Sequence, residues 1–328
     1  MKLYEDQLIV VTGGAGFIGS GVVRYLNDSG LKNLIIVDEL RHSEKWKNLV
    51  GKQFVDVLSK SQLFQWLEGR ESLIEAFIHL GACSDTMETD ASYLLENNYR
   101  YSVRLAEYAL RHDHRFIYAS SAATYGDGSQ GFSDDQDRLY DLHPLNMYGF
   151  SKQMFDQWAL NEGVLNRLVG LKYFNVFGPN EAHKGRMASA ITRMVPQILK
   201  GEKVKLFKST DPSLFADGEQ KRDFIYVKDA VRMTCAFLTN DVGGIYNVGS
   251  GVAATWNDLA KAVYQALDRS PEIEYIEMPT ELVSKYQNYS KADMSKTNKV
   301  LKEISQCRSL EDSVSDYVRH YLLQGKTW

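Results

Sequence analysis

The stretch QLIVVTGGAGFIGSGVVRYLNDSG, from Gln7 to Gly30, limits the folding options of this chain more than any other. A β-branched run stops at two glycines, and behind them Phe17, Ile18, Val22, Val23 and Leu26 recur at helical spacing. NLIIVDEL, from Asn33 to Leu40, is the next strand, which completes one βαβ unit. EAFIHLGA (Glu75 to Ala82), RFIYASS (Arg115 to Ser121) and VGLKYFNVFGP (Val169 to Pro179) read as further buried strands. Strands alternating with helices predict an α/β fold whose doubly wound parallel sheet is covered on both faces.

Gly13, Gly16 and Gly19 form a GxxGxxG turn between the first strand and its helix. Glycine allows positive φ and lets a ligand approach the backbone. The helix behind the turn aims free N–H groups and its dipole at an anion. Asp38 ends the second strand, 19 positions after Gly19, where an acid accepts hydrogen bonds from an adenosine ribose. Together these predict a Rossmann-type dinucleotide site. Asp38 and Glu39 repel a 2′-phosphate, whereas Arg41, Lys45 and Lys47 just beyond them attract one or serve only as solvated loop charges.

A formal net charge of -4 argues against a general nucleic-acid or membrane-surface binder. Cys83, Cys235 and Cys307 lie far apart without CxxC spacing, so neither a disulfide framework nor a metal site is expected. The apolar run near the N-terminus is short and leads into glycines, so it reads as a strand and not a signal peptide. No apolar run is long enough for a bilayer, and a cytoplasmic location is expected.

YGFSK places Tyr148 and Lys152 four residues apart, on one face of a helix. A free phenol has a pKa of about 10, too high for a base at neutral pH. A neighbouring ammonium favours phenolate, so Lys152 is expected to draw Tyr148 down while also bonding a nicotinamide ribose. Tyr148 then exchanges an alcohol proton while hydride moves. Ser121 ends the preceding strand run and completes a triad, with Ser120 as the alternative serine.

TGGAGFIGS, ASSAATYG, MYGFSK, KYFNVFGP, QKRDFIYVKDAV and GIYNVGSG together resemble the extended short-chain dehydrogenase/reductase family, which acts on nucleotide sugars. LGACSDT, ENNYRYS, FNVFGPNEAHKGRMAS and SKYQNYSKADM resemble its ADP-glyceromanno-heptose 6-epimerase branch, and the likeness covers nearly the whole chain. The resemblance implies NADP as cofactor, with NAD as the alternative. It places Phe17 and Ile18 in the phosphate turn and Asp38, Glu39, Lys45 and Lys60 around the adenosine end. Leu80, Gly81, Ala82, Cys83, Ser84 and Asn97 line the cofactor cleft, with Asn175 and Val176 beside substrate and nicotinamide. Phe207, Lys208, Ser209, Thr210, Arg222 and Tyr286 hold the nucleotide sugar. Glu39 replaces an expected asparagine, and Arg186 and Arg193 stand where the branch has serine and histidine, as extra cations near a pyrophosphate.

The branch inverts C6 of an ADP-linked glycero-manno-heptose in lipopolysaccharide core synthesis. An isolated alcohol carbon has no acidic C–H, so inversion requires hydride removal to a 6-ketone and return to the opposite face. The oxygen then points elsewhere, and a second acid/base group is needed. The resemblance gives that role to Lys184, with Tyr148 opposite, His183 positioning, and burial or the cations His183, Arg186 and Arg193 lowering the lysine pKa. Taken without the resemblance, Lys184 is equally a phosphate ligand or a solvated loop lysine.

The dinucleotide-binding domain is expected over residues 1–177 plus about 222–250, interleaved with a smaller mixed α/β substrate lobe over about 178–221 plus 251–328. SAITRMVPQILKGEKVKLF predicts helix then strand, RDFIYV a return to the sheet, WNDLAKAVYQALDRS an amphipathic helix and SPEIEYIEMP a strand. Tyr286 and Tyr289 contact substrate or pack the lobe. The competing readings are a nucleotide-sugar 4-epimerase or reductase on the same fold, and a non-catalytic dinucleotide sensor. A 4,6-dehydratase is disfavoured because Ser121-Ala122-Ala123 lacks an Asp–Glu pair. The resemblance also implies a homo-oligomer, a pentamer in this branch.

Overall fold

The structure is a computed structural model and describes residues 7–283 and 286–328. The first two residues of SKYQNYSKADM and residues 1–6 lie outside that range. Six strands follow one another in the first half: β1 (Leu8–Thr12), β2 (Leu34–Val37), β3 (Asp56–Leu58), β4 (Ile74–His79), β5 (Arg115–Ser121) and β6 (Leu168–Tyr173). The second half adds β7 (Asn175–Phe177), β8 (Val204–Phe207), β9 (Lys221–Tyr226), β10 (Gly244–Val248), β11 (Ala253–Thr255) and β12 (Ile273–Ile276).

The central sheet has the order β3-β2-β1-β4-β5-β6-β10, and every pair is parallel. Val10 pairs with Ile35 on one side and Phe77 on the other, and all three are fully buried. Such strands read as unbroken apolar runs because both faces are covered. Each fully buried aliphatic side chain contributes about 1.5–3 kcal/mol. Helix Phe17–Asp28 buries Val22, Val23 and Leu26. Strand order reverses between β1 and β4, so their carboxyl ends open the crevice where ligands bind in such sheets.

Two strand expectations are corrected. VGLKYFNVFGP breaks at Phe174, whose N–H donates to the Val248 carbonyl (3.0 Å). Its first part is β6, and its second part leaves the central sheet as β7 to pair with β9. RDFIYV therefore belongs to a three-stranded sheet, β11-β9-β7, and GIYNV is the segment that extends the central sheet as β10. β8 and β12 form a separate parallel pair. Helix Trp256–Ala266 forms where expected, closed by a capping box between Thr255 and Asp258. Trp328 returns to the first helix: its ring lies against Gly21, and its N–H donates to Asn180 Oδ1 at 2.8 Å. No helix among the described residues is long and apolar enough to cross a membrane.

Candidate active site

A cleft of about 790 Å³ opens over the carboxyl ends of β1, β4 and β5. Gly13 has φ +67°, and a Cβ there would meet the Gly81 backbone at 2.7 Å. A Cβ on Gly19 would lie 2.1 Å from the Gly13 carbonyl oxygen. Helix Phe17–Asp28 starts at Gly16 with no side-chain cap and no acid in its first turn. A glycine cradle at an uncapped helix start fits a dinucleotide diphosphate.

Asp38 accepts the Ala15 N–H (2.9 Å), the Glu39 N–H (2.7 Å) and the Lys45 ammonium (2.6 Å). Glu39 accepts the Lys60 N–H (3.1 Å) and faces Arg41 at 3.8 Å, while the Lys60 ammonium donates to Asn97 Oδ1 (2.6 Å). Lys47 pairs outward with Glu44, apart from the adenosine end. Leu80, Gly81, Ala82, Cys83, Ser84 and Val176 line the cleft between these groups and the catalytic end.

The Asn146 side chain caps helix Met147–Asn161 by accepting the Gly149 N–H (2.9 Å). That helix carries both Tyr148 and Lys152 into the cleft. The Ser121 hydroxyl stands beside the Tyr148 phenol and draws its pKa down. Ser120 instead donates to Asp156 (2.7 Å) inside the core, so Ser121 is the serine beside the phenol. Lys152 is 5% exposed and donates to the Ala119 carbonyl (2.8 Å). Burial lowers its pKa to about 8, against the pull of Asp156. The expectation that Lys152 draws Tyr148 down is corrected. Burial pushes the phenol up, and only Ser121 works against it.

Lys184 sits in the short helical turn Ala182–Met187, which kinks at Gly185, and its ammonium lies 5.3 Å from the Phe17 ring centre. It lines the same cleft as Tyr148. Burial lowers its pKa, and the Glu181 carboxylate raises it. The cations expected to help are engaged otherwise. Burial, Lys45 and Lys184 push His183 down, so it is neutral near pH 7, and Arg186 pairs with Asp85 (2.9 Å). Desolvation, not neighbouring charge, depresses Lys184.

Asn175 and Arg193 also line the cleft, whereas Arg186, Phe207, Lys208, Ser209, Thr210, Arg222 and Tyr286 stand outside its lining. Lys208 pairs with Glu277 (2.6 Å), and the Ser209 N–H donates to Asp217 (2.9 Å). The buried Arg222 guanidinium lies 4.9 Å from the Tyr286 ring centre and 6.0 Å from that of Trp256, and Trp256 does line the cleft. The Tyr289 ring lies 6.1 Å from that of Phe132, tilted by 57°, as the packing alternative expects.

Three supporting residues escaped the sequence reading. Asn48 donates to the carbonyls of Ala15 (3.0 Å) and Asn180 (3.1 Å), joining the glycine turn to the segment before Lys184. His79 bridges Thr12 (2.6 Å) and Ser102 (2.8 Å), and burial holds its pKa at about 3. Its signal was present, because a histidine ending an apolar strand needs buried partners. Glu181 accepts bonds from Gly178 and Ser189 on either side of Lys184.

The sequence model of the NAD dependent epimerase/dehydratase family matches residues 9–249. An ADP-L-glycero-D-manno-heptose-6-epimerase of Nitratidesulfovibrio vulgaris is 50% identical over 318 residues, 96% of this chain and 98% of the relative. One from Fusobacterium nucleatum is 45% identical over 98% of this chain and 100% of its own length. A crystal structure of the Helicobacter pylori ADP-L-glycero-D-manno-heptose-6-epimerase has a TM-score of 0.80 at 28% identity, covering 96% of each chain. With its glycine cradle, paired serine and tyrosine, and second lysine in place, the chain belongs to the ADP-L-glycero-D-manno-heptose-6-epimerase group of the NAD dependent epimerase/dehydratase family.

Proposed function

We propose that the chain inverts C6 of ADP-D-glycero-β-D-manno-heptose to the L-glycero epimer through a transient 6-ketone. The observation that carries this reading is one cleft lined by two half-buried proton carriers on different elements, Tyr148 and Lys184. A bound nicotinamide dinucleotide supplies the hydride acceptor and donor. Lys184, whose pKa burial lowers, takes the C6 hydroxyl proton in one orientation of the sugar as hydride leaves C6. After the ketone presents its opposite face, Tyr148, held as the phenol by burial and placed beside Ser121, gives a proton to the C6 oxygen as hydride returns. Lys152 holds the nicotinamide ribose, and the glycine turn holds the diphosphate.

Lys45 and Lys60 at the adenosine end favour NADP over NAD, since the Asp38 charge is already met by Lys45 and two N–H groups. Asn175 and Arg193 reach the substrate directly. Phe207 to Thr210, Arg186, Arg222 and Tyr286 form the outer part of the nucleotide-sugar site, with Arg222 against Trp256. Residues 1–177 with about 222–250 hold the cofactor, and the remaining lobe holds the sugar nucleotide. The working form is a cytoplasmic homo-oligomer, a pentamer.

The deciding experiment measures C6 inversion in Tyr148→Phe and Lys184→Met. Both lose at least about a hundredfold in kcat. Inversion by Lys184→Met at the normal rate contradicts the two-carrier reading.

A further inference from the structure

The Lys184 segment has little regular structure of its own. It runs from Gly178 to Ser189, turns through Gly185 at φ +54°, and projects His183 and Lys184 into the cleft. A surface turn of this kind samples many conformations unless its ends are tied. Here the ends share one buried carboxylate. Glu181 is 1% exposed. Its Oε1 accepts the Gly178 N–H (3.3 Å) and the Ser189 hydroxyl (2.6 Å), and its Oε2 accepts the Ser189 N–H (2.7 Å). Its main-chain carbonyl accepts the Lys184 N–H at 2.9 Å. The Tyr317 phenol from helix Leu310–Tyr317 lies near the same carboxylate, whose charge adds to burial in pushing the phenol up.

We propose that Glu181 is a positioning residue for Lys184, stapling both ends of the turn so that the lysine is held in the cleft that also contains Tyr148. The inference rests on Lys184 acting as the second acid/base. A buried carboxylate is costly unless its lone pairs are filled, and three hydrogen bonds from Gly178 and Ser189 fill these. No described donor on Glu181 comes from Lys184's own ammonium, so the carboxylate acts on it through space and through the backbone. The titratable neighbours of this pair are Tyr317 on the Glu181 side and His183 on the lysine side, and His183 in turn faces Lys45 and Asp38. Within that set, Glu181 is the group that favours the charged ammonium, against the burial that opposes it.

Two substitutions separate the staple from the charge. Glu181→Gln keeps the length and removes the charge. Its expected signature is a Lys184 limb of the kcat–pH profile displaced about one pH unit lower, because the ammonium loses its favourable neighbour. Glu181→Asp keeps the charge and shortens the reach. It is expected to lose up to about a hundredfold in kcat through misplacement of the lysine, with the limb unmoved and KM within about twofold. Thermal unfolding is followed for each variant. If Glu181→Gln fails to fold, Glu181→Asp decides alone, and a wild-type kcat there overturns the proposal. Wild-type kcat and limb in both variants overturn it too, provided Lys184→Met abolishes inversion. If Lys184→Met inverts normally, the two-carrier reading itself has failed.

Discussion

Three side chains in the cleft have their chemistry decided by how much water reaches them. Tyr148 is raised by burial, while Lys152 and Lys184 are lowered by it, and in each case desolvation outweighs the nearest partner. Lys152, at about 8, remains a donor at neutral pH and becomes neutral above that value. A donor that holds a ribose through its ammonium must lose grip as it deprotonates. Cofactor affinity is therefore expected to be flat below about pH 7 and to fall as pH rises past 8, with Lys152→Met flattening the curve at the weak end. Titrating cofactor binding across pH checks this. Gly19→Ala tests the cradle, because its Cβ would sit 2.1 Å from the Gly13 oxygen. Protein purified with that substitution is expected to carry no nicotinamide dinucleotide when its bound nucleotide is released and weighed. At this scale YGFSK, the glycine turn and HKG were legible, since each is a local spacing with a local purpose. The pKa direction of Tyr148 was not, because it depends on how many distant segments exclude water from the ring.

The helix Met147–Asn161 does more than present Tyr148 and Lys152. Its inward face also carries Asp156, fully buried, paired with Lys172 of β6 at 2.9 Å. Tyr118 and Ser120 of β5 donate to the same carboxylate, at 2.9 and 2.7 Å, and Lys172 also donates to Thr124 (2.6 Å). The cluster fixes the helix against the two strands behind the active site. Removing one partner strands a buried charge, so Asp156→Ala is expected to cost about 3–5 kcal/mol in denaturant unfolding. Asp156→Asn, which keeps the shape and part of the bonding, is expected to cost less. Sequence periodicity could not find this cluster, since its members are separated by whole elements. The same limit explains the misread strands. VGLKYFNVFGP is apolar throughout, and nothing in the run announces that Phe174 turns its N–H to β10 and sends Asn175–Phe177 into another sheet.

Across the whole molecule, the cleft draws on both halves of the chain: the glycine turn and β4 loop from the first, Lys184, Phe224 and Trp256 from the second. The parallel order of the first half was legible because buried strands and crossover helices alternate. KVKLF, RDFIYV and SPEIEYIEMP read as strands, but how they pair into the small sheets did not show, because strands this short carry too little pattern to choose partners. A homo-oligomer is expected, and native mass spectrometry should return five times the chain mass; a monomer contradicts that assignment. An internal hydride cycle returns to C6 the same hydrogen it removes. It is tested most directly by following C6 of ADP-D-glycero-β-D-manno-heptose by proton NMR in deuterated water, with the protein's retained cofactor and no added nicotinamide. The expected product is the L-glycero epimer with protium retained at C6. Deuterium at C6 would contradict the hydride cycle, and so would the absence of inversion by protein shown to hold its cofactor.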